Sequence, residues 1–213
     1  MRSRSELIRK IARDPAPDAR WRGPLQLALL WWFGAWIFVV AVTLAVQPMR
    51  PGFGAQLLAS PRFAFETLLG VAAGGMAIGT AFALGIPGWG STRRRIAAAM
   101  ALLAFWIGMY CYGLANPALE ASMLGKRPHC FVEVLIYGVP ALVAGLLLLR
   151  RLAPLGRCSA GFVVGAAAGA IPALLMQLAC VYIPSHILAF HIAPAFAVAL
   201  IGALAGRLLL REI

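Results

Sequence analysis

The 213 residues are 62% hydrophobic and 12% charged, with a mean hydropathy of +0.86. No soluble globule of this length hides so much apolar surface, so the bilayer is read as the solvent. The formal net charge of +12 would point to nucleic acid in a soluble chain, but here it lies in short segments bordering long apolar runs. Retention on the cytoplasmic side of a membrane accounts for it without direct nucleic-acid binding.

In chain order, residues 1–24 form the one polar segment of any size, and residues 25–213 a domain of six spans. Ser3-Arg4-Ser5-Glu6 has the spacing of a helix capping box and is followed by Leu7, Ile8 and Ile11 on one helical side, until Pro15 and Pro17 stop the helix. A helix of about two or three turns is not stable alone. Arg4, Arg9, Lys10 and Arg13 suit anionic headgroups. They equally suit a soluble partner, with Leu7, Ile8 and Ile11 entering a groove and the basic side chains meeting acidic ones.

Apolar runs follow at 25–46, 63–85, 96–115, 131–149, 159–180 and 187–206, each near the ~20 residues an apolar helix needs to cross a bilayer. The fold class predicted is all-α, a bundle of six transmembrane helices. Between and around the runs the Lys and Arg residues alternate, 15 on one side against 4 on the other, which places both termini in the cytoplasm. The first run is too long for a cleaved signal and is read as retained. Gly161, Gly165 and Gly169 repeat at four-residue intervals, as do Gly70/Gly74, Gly75/Gly79 and Gly202/Gly206; such small-residue faces let helices approach closely in lipid. The tryptophans sit mostly toward span ends and are read as interfacial anchors.

This topology gathers the reactive side chains on the outer face. Cys111 lies near the outer end of the third span, His129 and Cys130 just before the fourth, Cys180 at the end of the fifth, and His186 and His191 around the start of the sixth. Glu66, Glu120 and Glu133 fall at the same level. Three readings stand open. In an oxidising compartment Cys130 and Cys180 are able to bridge or to cycle between thiol and disulfide. Thiolate and imidazole are also the ligands that zinc, copper(I) and similar transition or heavy metals take; but His186 and His191, five apart, are separated by about 140° on a regular helix and share an ion only if Pro184 or a neighbouring kink delays the helix start. In the third reading the cysteines pack as small apolar residues, the reading preferred for Cys111 and Cys158, and the histidines satisfy helix ends. His191, one turn into a span, needs a partner, and Glu133 is placed to bond His129 or His191.

The charged N-terminal stretch Ser-Glu-Leu-Ile-Arg-Lys-Ile-Ala-Arg-Asp-Pro-Ala-Pro, the six spans, the His129-Cys130 pair and the stretch Cys180-Val-Tyr-Ile-Pro-Ser-His186-Ile-Leu-Ala-Phe-His191 together resemble the NrsF-type membrane anti-sigma factors of proteobacteria. The resemblance runs over nearly the whole chain. It implies a non-enzymatic regulator of the bacterial inner membrane that holds an extracytoplasmic-function sigma factor until a toxic metal or an oxidant reaches two outer-face cysteines, here Cys130 and Cys180. Other classes fit less well. A membrane thiol oxidoreductase would be expected to carry a Cys-x-x-Cys pair, and none is present. A transporter of small solutes or metals would place polar groups at mid-span, where Thr43, Thr80 and Gln177 are the main candidates.

Overall fold

A computed structural model describes residues 23–86, 92–152, 154 and 156–210. Seven helices occupy the described residues: α1 (Pro24–Val46), α2 (Phe53–Ala59), α3 (Pro61–Ala83), α4 (Thr92–Gly113), α5 (Cys130–Leu149), α6 (Arg157–Ala179) and α7 (Pro184–Leu209). All but α2 are long and apolar enough to cross a membrane. They match the six apolar runs to within four residues at every end. The capping segment with Arg4, Leu7, Ile8, Arg9, Lys10 and Ile11 lies outside the described residues, as do Trp21 and Trp89.

Helix starts follow local chemistry. Proline opens α1, α3 and α7, where its missing N–H costs nothing. Ser60 caps α3 by accepting from the Phe63 amide at 3.3 Å. Gly52 turns the chain into α2 with φ of +75°, a left-handed conformation that favours glycine. Prolines also stand inside α5 (Pro140) and α6 (Pro172). Pro172 leaves the Ala168 carbonyl without its helical donor, and Gly138 of α5 passes close beside that oxygen.

Helix α6 is the axis of the bundle, with α7, α3 and α5 packed around it and α1 against α3, α5 and α6. Its apolar window is 89% buried, against 22% for α1 and α4. The tightest seam joins α6 to α7. A Cβ added at Gly165 would lie 2.6 Å from the Val198 carbonyl oxygen, and one at Gly169 2.5 Å from that of Ala195; Gly161 and Gly202 face each other's backbones in the same way. The expected small-residue contact is therefore present here. Elsewhere glycine does other work: Gly70 and Gly74 admit the rings of Trp106 and Trp32, and Gly79 has nothing within 4 Å.

Two tryptophans depart from the anchoring role read from sequence. Trp31 and Trp106 are buried in the core, and Trp31 Nε1 donates to the Ala141 carbonyl at 2.9 Å. Position along a helix locates a residue in depth but not around the axis, and both rings point inward. Six traverses bring Pro24 and Leu209 to one end of the bundle. Cys130 and Cys180 lie at the other, called here the cysteine end.

Candidate functional site

The site is built where the loop before α5 meets the end of α6. Gly125, with φ of +79°, turns this loop against Arg50, whose Cβ lies 2.8 Å from where a Gly125 Cβ would stand. Two residues on, Arg127 is 2% exposed. Its Nη1 donates to Glu133 Oε2 at 2.8 Å. Its Nη2 donates to the carbonyls of Thr43 at 3.3 Å and Pro48 at 3.2 Å, and to that of Gln47. One guanidinium thus satisfies carbonyls at the end of α1 and the first-turn carboxylate of α5 together.

Cys130 is the first residue of α5, its sulfur 3.4 Å from the Arg127 carbonyl oxygen. Cys180 caps α6 in extended conformation, its amide bonded to the Met176 carbonyl and its carbonyl held by Arg50 Nη1 at 2.9 Å. Arg50 in turn lies over the Phe63 ring at 5.6 Å, and that ring meets Tyr182 edge-on. The two sulfurs are 2.9 Å apart, inside contact distance and beyond the roughly 2.0 Å of a covalent bridge. A hydrogen bond from the Cys130 thiol holds the Cys180 thiol well below the usual range, against the opposing effect of burial. That favours thiolate, the form that binds metals and attacks disulfides.

The sixth helix supplies the rest. His186 Nε2 lies 3.6 Å from Cys180 Sγ, and the rings of His186 and His191 are 5.2 Å apart, centre to centre, and perpendicular. The five-residue separation is accommodated by a π turn at Leu188–Ile192. Its i→i+5 bonding sets residues five apart nearly one above the other, where an α-helix would splay them. The irregularity that a shared ion requires is therefore present, as a widened turn and not a delayed helix start. One ligand atom from each of Cys130, Cys180, His186 and His191 lies within 4.8 Å of all the others. Tetrahedral zinc, with bonds of about 2.0–2.3 Å, needs ligand atoms about 3.3–3.8 Å apart, so the two sulfurs, 2.9 Å apart, would part by somewhat under ~1 Å while any separation near 4.8 Å closes. His191 is wholly buried, and neither ring nitrogen has a hydrogen-bond partner. Such an orphaned imidazole is costly unless something occupies it. The donor set and this orphan fit a thiophilic or borderline metal ion.

Three sequence expectations change. His129 is exposed at the N-cap of α5 and outside the four-residue cluster. Glu133 bonds neither His129 nor His191; it pairs with Arg127 and accepts from the Tyr137 hydroxyl at 3.4 Å, because a guanidinium fills its side of the helix first. Cys111 and Cys158 are exposed on the bundle's outer surface and do not pack in the core.

Sequence reasoning missed Arg50, Arg127 and Tyr182. Tyr182 donates to Glu66 Oε2 at 2.5 Å, and Arg62 meets Glu66 Oε1 at 3.2 Å. Burial, then the Glu66 carboxylate, push the Tyr182 hydroxyl's titration upward. Tyr110 donates to Gln177 deeper in the same group. A signal was available: Arg50, Arg62 and Arg127 are three of the four basic residues on the basic-poor side, where only a structural reason retains them.

Comparison with known proteins identifies the family. A family model described as negative regulator of sigma F, NrsF, matches residues 11–211. The chain is 30% identical over 220 residues to the anti-sigma-F factor NrsF of Caulobacter vibrioides, covering 97% of this chain and 98% of the relative. No solved structure matches. A match over nearly the full length shows that the chain belongs to the NrsF family of negative regulators of sigma F.

Proposed function

We propose that this chain is an inner-membrane anti-sigma factor that holds an extracytoplasmic-function sigma factor on the cytoplasmic side and releases it when a metal or an oxidant reaches Cys130 and Cys180 on the outer side. The observation that carries the reading is the convergence of two thiols and two imidazoles within 4.8 Å at the end of the bundle opposite Pro24 and Leu209. A soft or borderline ion would take Cys130, Cys180, His186 and His191 as ligands. An oxidant would join the same two thiols in a disulfide, taking two electrons while two protons leave.

Either event changes how the start of α5 meets the end of α6: a disulfide would draw the two sulfurs from 2.9 Å to about 2.0 Å, and tetrahedral coordination would part them to about 3.8 Å. These helices form a hairpin whose far ends carry Arg150, Arg151 and Arg157, and α6 is keyed to α7 by the glycine seam. Helix shifts of about 1–2 Å are enough to switch an interface. The dock for the sigma factor is assigned to the N-terminal segment, with Leu7, Ile8 and Ile11 as apolar contacts and Arg4, Arg9 and Lys10 facing acidic side chains.

Affinity capture from membranes tests the class. A sigma factor is expected to co-purify and to leave on addition of cadmium or zinc, whereas Cys130→Ser/Cys180→Ser retains it under both conditions. Capture without a sigma factor, or metal-dependent release that persists in the double variant, refutes the proposal. Deleting residues 2–14 is expected to abolish capture in either state.

A further inference from the structure

Helix α1 stops where Pro48 follows its C-cap, Gln47, since proline cannot continue a helix, and carbonyls at that end are left to be satisfied from elsewhere. The cysteine site satisfies them. Arg127 Nη2 reaches the carbonyls of Thr43 at 3.3 Å and Pro48 at 3.2 Å, together with that of Gln47. The carbonyl oxygen of Arg127 itself lies 3.4 Å from Cys130 Sγ. Arg50, just beyond α1, donates from Nη1 to the Cys180 carbonyl at 2.9 Å. Residues 43–50 are thus tied to both cysteines, to Cys130 through Arg127 and to Cys180 through Arg50. A change in the separation of the two sulfurs stretches one of these ties or moves the segment between them.

Which of the two gives way follows from enclosure. Arg127 and Arg50 are 2% and 3% exposed, so their charge-assisted bonds to carbonyls are made away from competing water and are costly to break. At the far side of the pair, α6 is enclosed by its neighbours and keyed to α7 by backbone contact at the glycine seam. Helix α1 is held far less. Only 22% of its apolar window is buried, and Leu29, Phe33 and Ile37 face outward with no polar group to direct a contact. The least enclosed element moves at the least cost. Its other end is Pro24, which continues directly into the N-terminal segment.

We propose that Arg50 and Arg127 are positioning residues that carry a change at the Cys130–Cys180 pair onto α1, which shifts as a rigid element and displaces Pro24 relative to α7. The assignment rests on the reading of the pair as a sensor. It adds a route more direct than the α5–α6 hairpin, because α1 is continuous with the segment assigned to the sigma-factor dock, and rigid helices joined by hydrogen-bond networks are what carries coupling between distant sites.

The test uses the full chain in nanodiscs, with Cys111 and Cys158 replaced by serine and spin labels on Leu25→Cys and Leu209→Cys, exposed positions at the start of α1 and the end of α7. Cys130 and Cys180 are buried and escape the label. Cadmium, with its occupancy read by thiolate absorption, is expected to shift the mean distance between the labels by on the order of 1 Å. At equal occupancy Arg127→Met/Glu133→Met, which cuts one tie without stranding a charge, should lose the shift. Arg127→Lys, which keeps the charge but not the planar fork, should retain about half of it or less. Arg50→Met cuts the other tie and should also lose the shift, and unchanged size-exclusion profiles establish that each variant folds. A flexible Gly-Ser-Gly-Ser linker placed between Gly23 and Pro24 should leave the shift intact, keep capture of the sigma factor and abolish its release by cadmium. A shift that survives both Arg50→Met and Arg127→Met/Glu133→Met, or release that survives the linker, overturns the proposal. So does an unmoved α1 in a parent chain that binds cadmium. A parent chain that binds no cadmium would instead refute the sensing reading of the cysteines, and the proposal with it.

Discussion

Arg127 and His191 are the two buried polar side chains that most constrain the cysteine end, and they do so in opposite ways. Arg127 has partners on three sides, the end of α1, Glu133 and the Cys130 turn that its own carbonyl contacts. Removing one member of a buried ion pair strands the other, so Arg127→Met is expected to cost about 3–5 kcal/mol of stability, and Arg127→Met/Glu133→Met substantially less. Chemical denaturation of both variants in detergent checks this; equal losses would show that the pair itself is unimportant. Neither ring nitrogen of His191 has a partner in hydrogen-bond geometry, and the neighbouring Cys180 sulfur, with which it interacts, is itself a ligand of the same candidate site. His191→Ala is therefore expected to weaken cadmium binding at least about tenfold, by analogy with the cost of disturbing metal-site ligation, while leaving the fold's melting temperature unchanged or raised. Titration followed by cadmium–thiolate absorption reads the first and calorimetry the second.

Among the helices, the seam between α6 and α7 and the π turn of α7 carry distinct expectations. At Gly165 a side chain would meet backbone on α7, which cannot rotate away. Gly165→Leu should force the helices apart at a cost of about 1–3 kcal/mol or more. Gly79→Ala, at a helical position with open space around it, should be neutral or stabilising by up to about 1 kcal/mol. Parallel melting curves separate the two, and a tolerated Gly165→Leu would show that the seam is not tightly packed in the membrane. The π turn makes a different prediction. Deleting the exposed Ala189 leaves His186 and His191 four positions apart, a spacing that faces one side of a regular α-helix. Metal affinity should survive this deletion within about tenfold; its loss would show that the widened turn contributes more than spacing.

For the molecule as a whole, sidedness links the site to the regulation proposed for it. Cys130 and Cys180 are too buried to report it by labelling. Leu58 of α2 is 90% exposed at the cysteine end, and Arg151 is exposed at the other. In a chain whose four cysteines are replaced by serine, Leu58→Cys should react with an impermeant thiol reagent in intact spheroplasts, and Arg151→Cys only after lysis. The reverse pattern would place the Cys/His cluster in the cytoplasm and remove an outer signal.

Composition and periodicity alone determined the six long apolar helices, because every backbone polar group in an apolar medium must be paired within its own segment and an uninterrupted apolar run of about 20 residues leaves no alternative to helix. The same information brought Cys130, Cys180, His186 and His191 to one depth, since depth follows from position along a helix. Rotation about the helix axis does not, and there the tertiary structure decided. It turned Glu133 to Arg127 and left His129 exposed, buried Trp31 and Trp106, and drew His191 toward the sulfurs through a π turn that nothing in the local sequence announces. Arg50 and Arg127 stood in the sequence as ordinary loop charges; only packing from segments roughly 80 to 130 residues away, an inherently non-local effect, made them the framework of the site.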